Sequence, residues 1–202
     1  LFGDVDGDGD LDVMTTGVDS QDNLQALLYR NLLPDDDGMR DMGLAIPGIQ
    51  ASDIALGDFD RDGDLDLVAG GLTATELATA IYTNDGVGGY EQLAGIELPG
   101  IQGGDLAWAD FDNDQDLDLV LAGNTGGQTK TLQLYENTIG RTAPDAPFTL
   151  VDLPMLRSID FSSVSMADVD GDGDLDLISA GKDDDASQST AVNDNLAAQQ
   201  LI

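Results

Sequence analysis

Asp58-Phe-Asp-Arg-Asp-Gly-Asp-Leu-Asp66 decides how this 202-residue chain is read. Carboxylates fall on every odd position of the nine, and Gly63 stands at position 6, where a residue free to take positive φ lets the chain wrap tightly. The pattern occurs three more times, as Asp4-Val-Asp-Gly-Asp-Gly-Asp-Leu-Asp12, Asp110-Phe-Asp-Asn-Asp-Gln-Asp-Leu-Asp118 and Asp168-Val-Asp-Gly-Asp-Gly-Asp-Leu-Asp176. The four stretches start 54, 52 and 58 residues apart. Repetition at such a period marks one recurring structural unit.

Two further markers keep step with the loops. Leu28-Tyr-Arg-Asn31, Ile81-Tyr-Thr-Asn84 and Leu134-Tyr-Glu-Asn137 follow them, and Val192-Asn-Asp-Asn195 fills that slot in the fourth repeat. Ile46-Pro-Gly-Ile49 and Leu98-Pro-Gly-Ile101 precede the next loop, with Leu153-Pro-Met-Leu156 as a looser copy. Between markers the apolar residues come in short runs. Asp53-Ile-Ala-Leu-Gly57 leads into a loop, Leu65-Asp-Leu-Val-Ala69 leads out, and Glu76 to Thr83 and Tyr90 to Leu98 complete the period. Each run is bounded by Gly, Asn, Asp or Pro, and none carries a sustained helical stripe. Four short strands per repeat of roughly 53 residues predict an all-β fold of β-propeller-type blades, each of four antiparallel strands. The repeats of this single domain are expected at 1–50, 51–102, 103–160 and 161–202, the last truncated or completed by another strand.

The odd-numbered carboxylates have a chemical reading. Four or five negative charges on nine residues repel one another unless a cation sits among them. Side chains at positions 1, 3, 5 and 9 would be ligands: Asp4, Asp6, Asp8 and Asp12; Asp58, Asp60, Asp62 and Asp66; Asp110, Asp112, Asp114 and Asp118; Asp168, Asp170, Asp172 and Asp176. Position 7 (Asp10, Asp64, Asp116, Asp174) would offer its backbone carbonyl, leaving a side chain such as that of Asp64 to face water. Hard carboxylate and carbonyl oxygens suit Ca²⁺, about four ions in all, one per loop between the first and second strands. Position 8 is always Leu and position 2 is Val or Phe, so these should anchor each loop in the core. An EF-hand would need a bidentate Glu at position 12 and flanking helices. Position 12 is Thr15, Ala69, Leu121 or Ser179, inside predicted strands, which excludes that motif.

In its Asp-x-Asp-x-Asp-Gly-x-x-Asp loops, Leu-Asp-Leu-Val strands and Tyr-x-Asn strands the chain resembles the FG-GAP and VCBS repeats of integrin-like β-propellers and bacterial surface proteins. The resemblance covers essentially the whole chain and implies a propeller with calcium in the loop joining the first two strands of each blade. The Gly-Ala-Pro element behind the FG-GAP name is missing, which favours the VCBS side. Gln115 replaces Gly at position 6 of the third loop, where strain is expected.

Composition narrows the function. Forty acids, all but Glu76, Glu91, Glu97 and Glu136 being Asp, face seven Lys and Arg for a net charge of −33, so nucleic acid and anionic membrane surfaces are poor partners. No apolar run is long enough for membrane insertion. Neither His nor Cys occurs, which removes the commonest general base and the commonest transition-metal ligand. Trp108 could stack on a sugar, but its slot is occupied by Leu56 and Met166 in neighbouring repeats, which favours core packing. Tyr29, Tyr82 and Tyr135 recur with the repeat and read as packing residues, while Asp35–Asp37 and Asp183–Asp185 lack the alternation and read as solvated turns.

The expected function is a non-catalytic, calcium-stabilised module of the cell surface or extracellular space, used in adhesion, binding or filament assembly. A propeller scaffold for a secreted polysaccharide-active enzyme is the alternative, because a fold does not settle a function. Partners would be a protein or carbohydrate ligand, or copies of the chain itself. Gln200-Leu-Ile202 followed by Leu1-Phe-Gly-Asp4 resembles Asp53-Ile-Ala-Leu-Gly-Asp58, so the tail could supply the missing first strand of repeat one by strand exchange.

Overall fold

Short apolar runs between turn residues become strands, because alternate side chains can then reach a core on either face of a sheet. The computed structural model describes residues 1–33, 38–127, 129–140, 146–152, 159–182 and 188–193, and all regular structure among them is β. The first sheet holds β1 (Phe2–Gly3), β2 (Asp12–Val18), β3 (Leu24–Asn31) and β4 (Met39–Asp41). The second holds β5 (Gln50–Gly57), β6 (Asp66–Leu72), β7 (Leu77–Asn84) and β8 (Tyr90–Gln92). The third holds β9 (Gln102–Ala109), β10 (Asp118–Asn124), β11 (Lys130–Asn137) and β12 (Phe148–Val151). The fourth holds β13 (Asp160–Ala167), β14 (Asp176–Lys182) and β15 (Gln188–Asn193), three strands among the described residues. Within each sheet the strands lie in chain order and pair antiparallel. Every nine-residue Asp loop joins the first strand of a sheet to the second.

One expected strand comes out much shorter. The run from Tyr90 to Leu98 pairs only over Tyr90–Gln92, after which Leu93 N–H still donates to the Ile81 carbonyl (2.9 Å). The chain then turns into the Pro-Gly marker, which serves close approach: a side chain at Gly48 would collide with the Leu24 backbone, and one at Gly100 with the Leu77 backbone. The recurring Pro-Gly therefore lets each connection cross the hairpin of the repeat it leaves. The marker at Leu153–Leu156, the Asp runs 35–37 and 183–185, Asn195 and the tail 197–202 lie outside the described residues.

Three apolar cores hold the sheets in series. The first joins sheets one and two through Val5, Met14, Leu28, Leu67 and Tyr82, and the second joins sheets two and three through Phe59, Val68, Ile81, Leu119 and Tyr135. The third joins sheets three and four through Phe111, Val120, Leu134, Val164 and Leu177. Trp108 is a core residue here: it stacks on Phe59 (5.6 Å, 14°), leans on Phe148 and donates from Nε1 to the Ala55 carbonyl (3.3 Å). Loop positions 2 and 8 anchor the inner loops as expected, but Leu11 and Val169 are exposed. Each core needs two sheets, and these two residues face outward from the first and the last. Among the described residues no core cluster joins the fourth sheet to the first.

Candidate metal loops

Each loop is organised by its own carboxylates, which collect backbone N–H groups that a tight turn would otherwise leave unpaired. Position 1 spans the turn: Asp4 accepts from Asp8 N (3.1 Å) and Gly9 N (3.0 Å), and Asp110 accepts from Asp114 N (2.9 Å) and Gln115 N (3.0 Å). Asp58 accepts from Gly63 N (3.1 Å), and Asp168 accepts from Gly171 N (2.6 Å) and Gly173 N (3.2 Å). Position 5 accepts from position 7, as in Asp62 from Asp64 N (3.0 Å) and Asp114 from Asp116 N (2.8 Å). Position 6 has positive φ throughout, at Gly9 (93°), Gly63 (99°), Gln115 (76°) and Gly173 (99°). Position 4 does as well, at Gly7 (69°), Arg61 (64°), Asn113 (61°) and Gly171 (83°), a second left-handed residue that the sequence reading did not single out.

This winding brings oxygens together. Asp4, Asp6 and Asp8 each offer one carboxylate oxygen within 4.8 Å of the others, as do Asp58, Asp60 and Asp62. In the third and fourth loops the trios are Asp110, Asp112 and Asp118, and Asp168, Asp170 and Asp176. Oxygens held about 2.4 Å from a common cation stand at most about 4.8 Å apart, so each trio could hold one metal ion. Asp58 Oδ1 is buried with no hydrogen-bond partner, an unsatisfied oxygen on a member of its trio. Burial pushes the Asp60 carboxyl up, and the charges of Asp62 and Asp58 add to it, as expected where carboxylates crowd without a counter-charge. The donor set is all oxygen, which suits a hard cation and fits neither a zinc nor a copper centre.

Position 9 has a structural task. Asp66 lies fully buried, accepting from Phe59 N (3.1 Å) on one oxygen and Asn84 N (2.9 Å) on the other. Asp12 does the same with Val5 N (3.0 Å) and Asn31 N (2.8 Å), and Asp118 with Phe111 N (2.9 Å) and Asn137 N (2.8 Å). Asp176 accepts from Val169 N (2.8 Å). Burial lifts the Asp66 carboxyl to about 7 and that of Asp118 to about 6, despite the N–H groups that favour the anion.

Position 7 departs from a uniformly solvated side chain. Asp64 is half-buried against Gly86, while Asp116 and Asp174 are buried because the preceding loop leans on this corner. Arg61 forms an ion pair with Asp116, and Asn113 Nδ2 donates to the Gly173 carbonyl (3.3 Å). The first loop carries its own cation, since Arg30 on β3 pairs with Asp6 and, at 3.1 Å, with Asp8. Thr83 and Glu136 hold that slot in the next two repeats, so the first loop differs electrostatically from the others.

The asparagine of the Tyr-x-Asn marker proves to be a clip between repeats. Asn84 Nδ2 donates to the Val5 carbonyl of the first loop (2.8 Å) and the Leu65 carbonyl of its own (3.1 Å). Asn137 Nδ2 repeats this with Phe59 (2.7 Å) and Leu117 (3.2 Å). A second clip follows a bulge in the first strand of a sheet: Asp53 accepts from Leu106 N (2.7 Å) and Asp105 from Val164 N (2.7 Å), each one repeat ahead. Recurrence of Asn31, Asn84 and Asn137, and of Asp53 and Asp105, was visible in the sequence, but the acceptor one repeat away was not.

Residues 110–179 match the family model described as FG-GAP-like repeat, which covers the third and fourth loops and supports the resemblance drawn from the motifs. No curated protein and no solved structure matches the chain. Among the described residues no helix is long and apolar enough to cross a membrane.

Proposed function

We propose that this array of FG-GAP-like, β-propeller-type repeats is a calcium-stabilised extracellular module for adhesion, binding or surface assembly. Its role is to present a rigid surface to a protein or carbohydrate ligand or to further copies of itself, and it does not turn over a substrate. The observation carrying this reading is that all four loops gather three carboxylate oxygens within 4.8 Å, on backbones wound by the same two left-handed residues. Calcium fits such loops better than magnesium, because it accepts six to eight oxygens in a flexible shell while magnesium demands a near-ideal octahedron. Calcium is abundant enough outside cells to fill even weak sites of the extracellular class, which favours an extracellular location. The closely spaced carboxylates are engaged in winding the loops, which supports binding over catalysis.

Calorimetric titration of the EDTA-treated chain should give about four ions bound, with β-structure and thermal stability lost on chelation and regained with Ca²⁺ but little with Mg²⁺. Unchanged melting after chelation would sink the reading. Robust cleavage of a polysaccharide by the purified chain would replace it with the enzymatic one.

A further inference from the structure

We infer that Arg30 is a built-in counter-ion of the first loop, keeping that loop wound when its metal is absent and making it fill at higher calcium than the second loop. The inference rests on the calcium reading of the proposed function and deepens it, because two loops of the same winding then respond to different calcium levels.

The first two loops form the best-matched pair. Both gather their oxygen trio from positions 1, 3 and 5, as Asp4, Asp6 and Asp8 against Asp58, Asp60 and Asp62, and both have a glycine of positive φ at position 6. They differ in what meets the trio. Arg30, just before the asparagine of the Tyr-x-Asn marker, reaches from β3 with Nε paired to Asp6 and Nη2 donating to Asp8 (3.1 Å). The Asp6 side chain is 4% exposed in this pairing. One positive charge is thus shared by two of the three carboxylates that would meet the metal.

The second loop has no such charge from its own repeat. Thr83 holds the slot of Arg30, and its hydroxyl donates to the Glu91 carbonyl (3.4 Å). Arg61, the basic residue within the second loop, pairs with Asp116 of the third loop instead. The position 1 carboxylates register the contrast. Both Asp4 oxygens accept a backbone N–H, whereas Asp58 Oδ1 is buried without a hydrogen-bond partner.

The next strand extends the difference. Residues directly opposite in an antiparallel pair share a face, and Arg30 stands opposite Arg40 on β4. The corresponding pairs are Thr83 with Glu91 and Glu136 with Thr149. Two of the chain's seven basic residues therefore stand beside the first loop, where the next two repeats place a single acid. Like charges so placed repel, and the carboxylates of the first loop offset that cost.

A dication entering the first loop must move the guanidinium off Asp6 and Asp8 or bind beside it, and the second loop imposes neither cost. The Arg30 side chain is 34% exposed, so solvent screens part of its charge. With that screening the handicap is about tenfold in calcium concentration. The same pairing offsets the repulsion between Asp6 and Asp8 when the metal is absent, which keeps the turn closed.

Amide NMR reads the two loops separately, since Gly9 N–H donates to Asp4 (3.0 Å) and Gly63 N–H to Asp58 (3.1 Å), each inside its own turn. Calcium is titrated into the full nitrogen-15-labelled chain, with far-UV circular dichroism marking the range in which it is folded. In wild type the Gly63 signal should reach its midpoint at about tenfold lower calcium than Gly9. Arg30→Thr, which gives the first loop the residue of the second, should bring the Gly9 midpoint down to that of Gly63. Arg30→Lys keeps the charge and should stay near wild type. Two glycines that move together in wild type, or a Gly9 midpoint unmoved by Arg30→Thr, overturn this inference alone. The wild-type order tests it even where a variant fails to fold. Glycine signals and circular dichroism that both ignore calcium refute the calcium reading, and this inference with it.

Discussion

Replacing Asp66 by Ala separates bracing a loop from ligating an ion. Asp66 lies outside the oxygen trio of its loop, formed by Asp58, Asp60 and Asp62, and both its oxygens accept buried backbone N–H groups, from Phe59 at 3.1 Å and Asn84 at 2.9 Å. A buried donor left unpaired costs about 1–3 kcal/mol, so two cost about 2–6 kcal/mol. The carboxylate's own burial, which lifts its pKa to about 7, already offsets part of what it contributes. The expected loss therefore falls in the lower half of that range, about 3 kcal/mol. The assay is urea unfolding at a series of free calcium concentrations. Each ion bound only by the folded state raises stability by about 1.4 kcal/mol per tenfold rise in calcium, so the slope counts linked ions. Asp66→Ala should lower the whole line by about 3 kcal/mol and leave its slope intact. Asp60→Ala should reduce the slope by one ion, since Asp60 belongs to the trio. If Asp66→Ala lowered the slope by one ion without a calcium-independent loss, the brace would be refuted and position 9 of that loop would act only as a ligand.

Two further substitutions test particular residues. Gln115 sits at φ 76°, where a side chain costs roughly 1–2 kcal/mol, so Gln115→Gly should raise the unfolding free energy by about 1 kcal/mol after the greater entropy of an unfolded glycine is deducted; no gain in urea unfolding would mean that the turn is unstrained. Burial, with a hydrogen bond that the protonated carboxyl donates to neighbouring Asp105 second, lifts Asp53 to about 6. Its folded value thus lies above its unfolded one, near 4, so its contribution is fully present below about pH 4 and is lost as pH rises through about 6. Asp53→Asn, which keeps an acceptor for Leu106 N–H, should match wild type near pH 4 and exceed it progressively up to pH 7. A stability difference that is flat with pH would refute that assignment.

Much of this architecture was legible in residue order because its causes are local. A nine-residue loop with left-handed residues at fixed places winds in one way, and alternating apolar residues between turn signals make strands wherever a core exists to receive them. Leu93 to Leu98 misled for the same reason: it is as apolar as a strand, but the Pro-Gly crossing that follows takes the chain off the sheet edge.

What the sequence by itself determined is the unit: four Asp loops, the left-handed position 6 down to Gln115, the strands on either side, and the oxygen chemistry that they offer. What only the tertiary structure decided is how one unit holds the next. Asn84 and Asn137 look like ordinary strand ends until the carbonyls of Val5 and Phe59, a full repeat away, are brought within 2.8 and 2.7 Å. Asp66 reads only as one more ligand until Phe59 N and Asn84 N are found on its carboxylate, a brace that position 9 carries besides its place in the oxygen trios of the third and fourth loops. Identical leucines and valines differ in fate, Leu11 and Val169 lying exposed while Leu117 packs and Val5 is buried, because burial belongs to a pair of sheets. Local pattern specifies backbone winding through φ and hydrogen-bond reach of a few residues. Burial and pairing across a joint depend on which surface a distant segment covers, and only the packed sheets supply that.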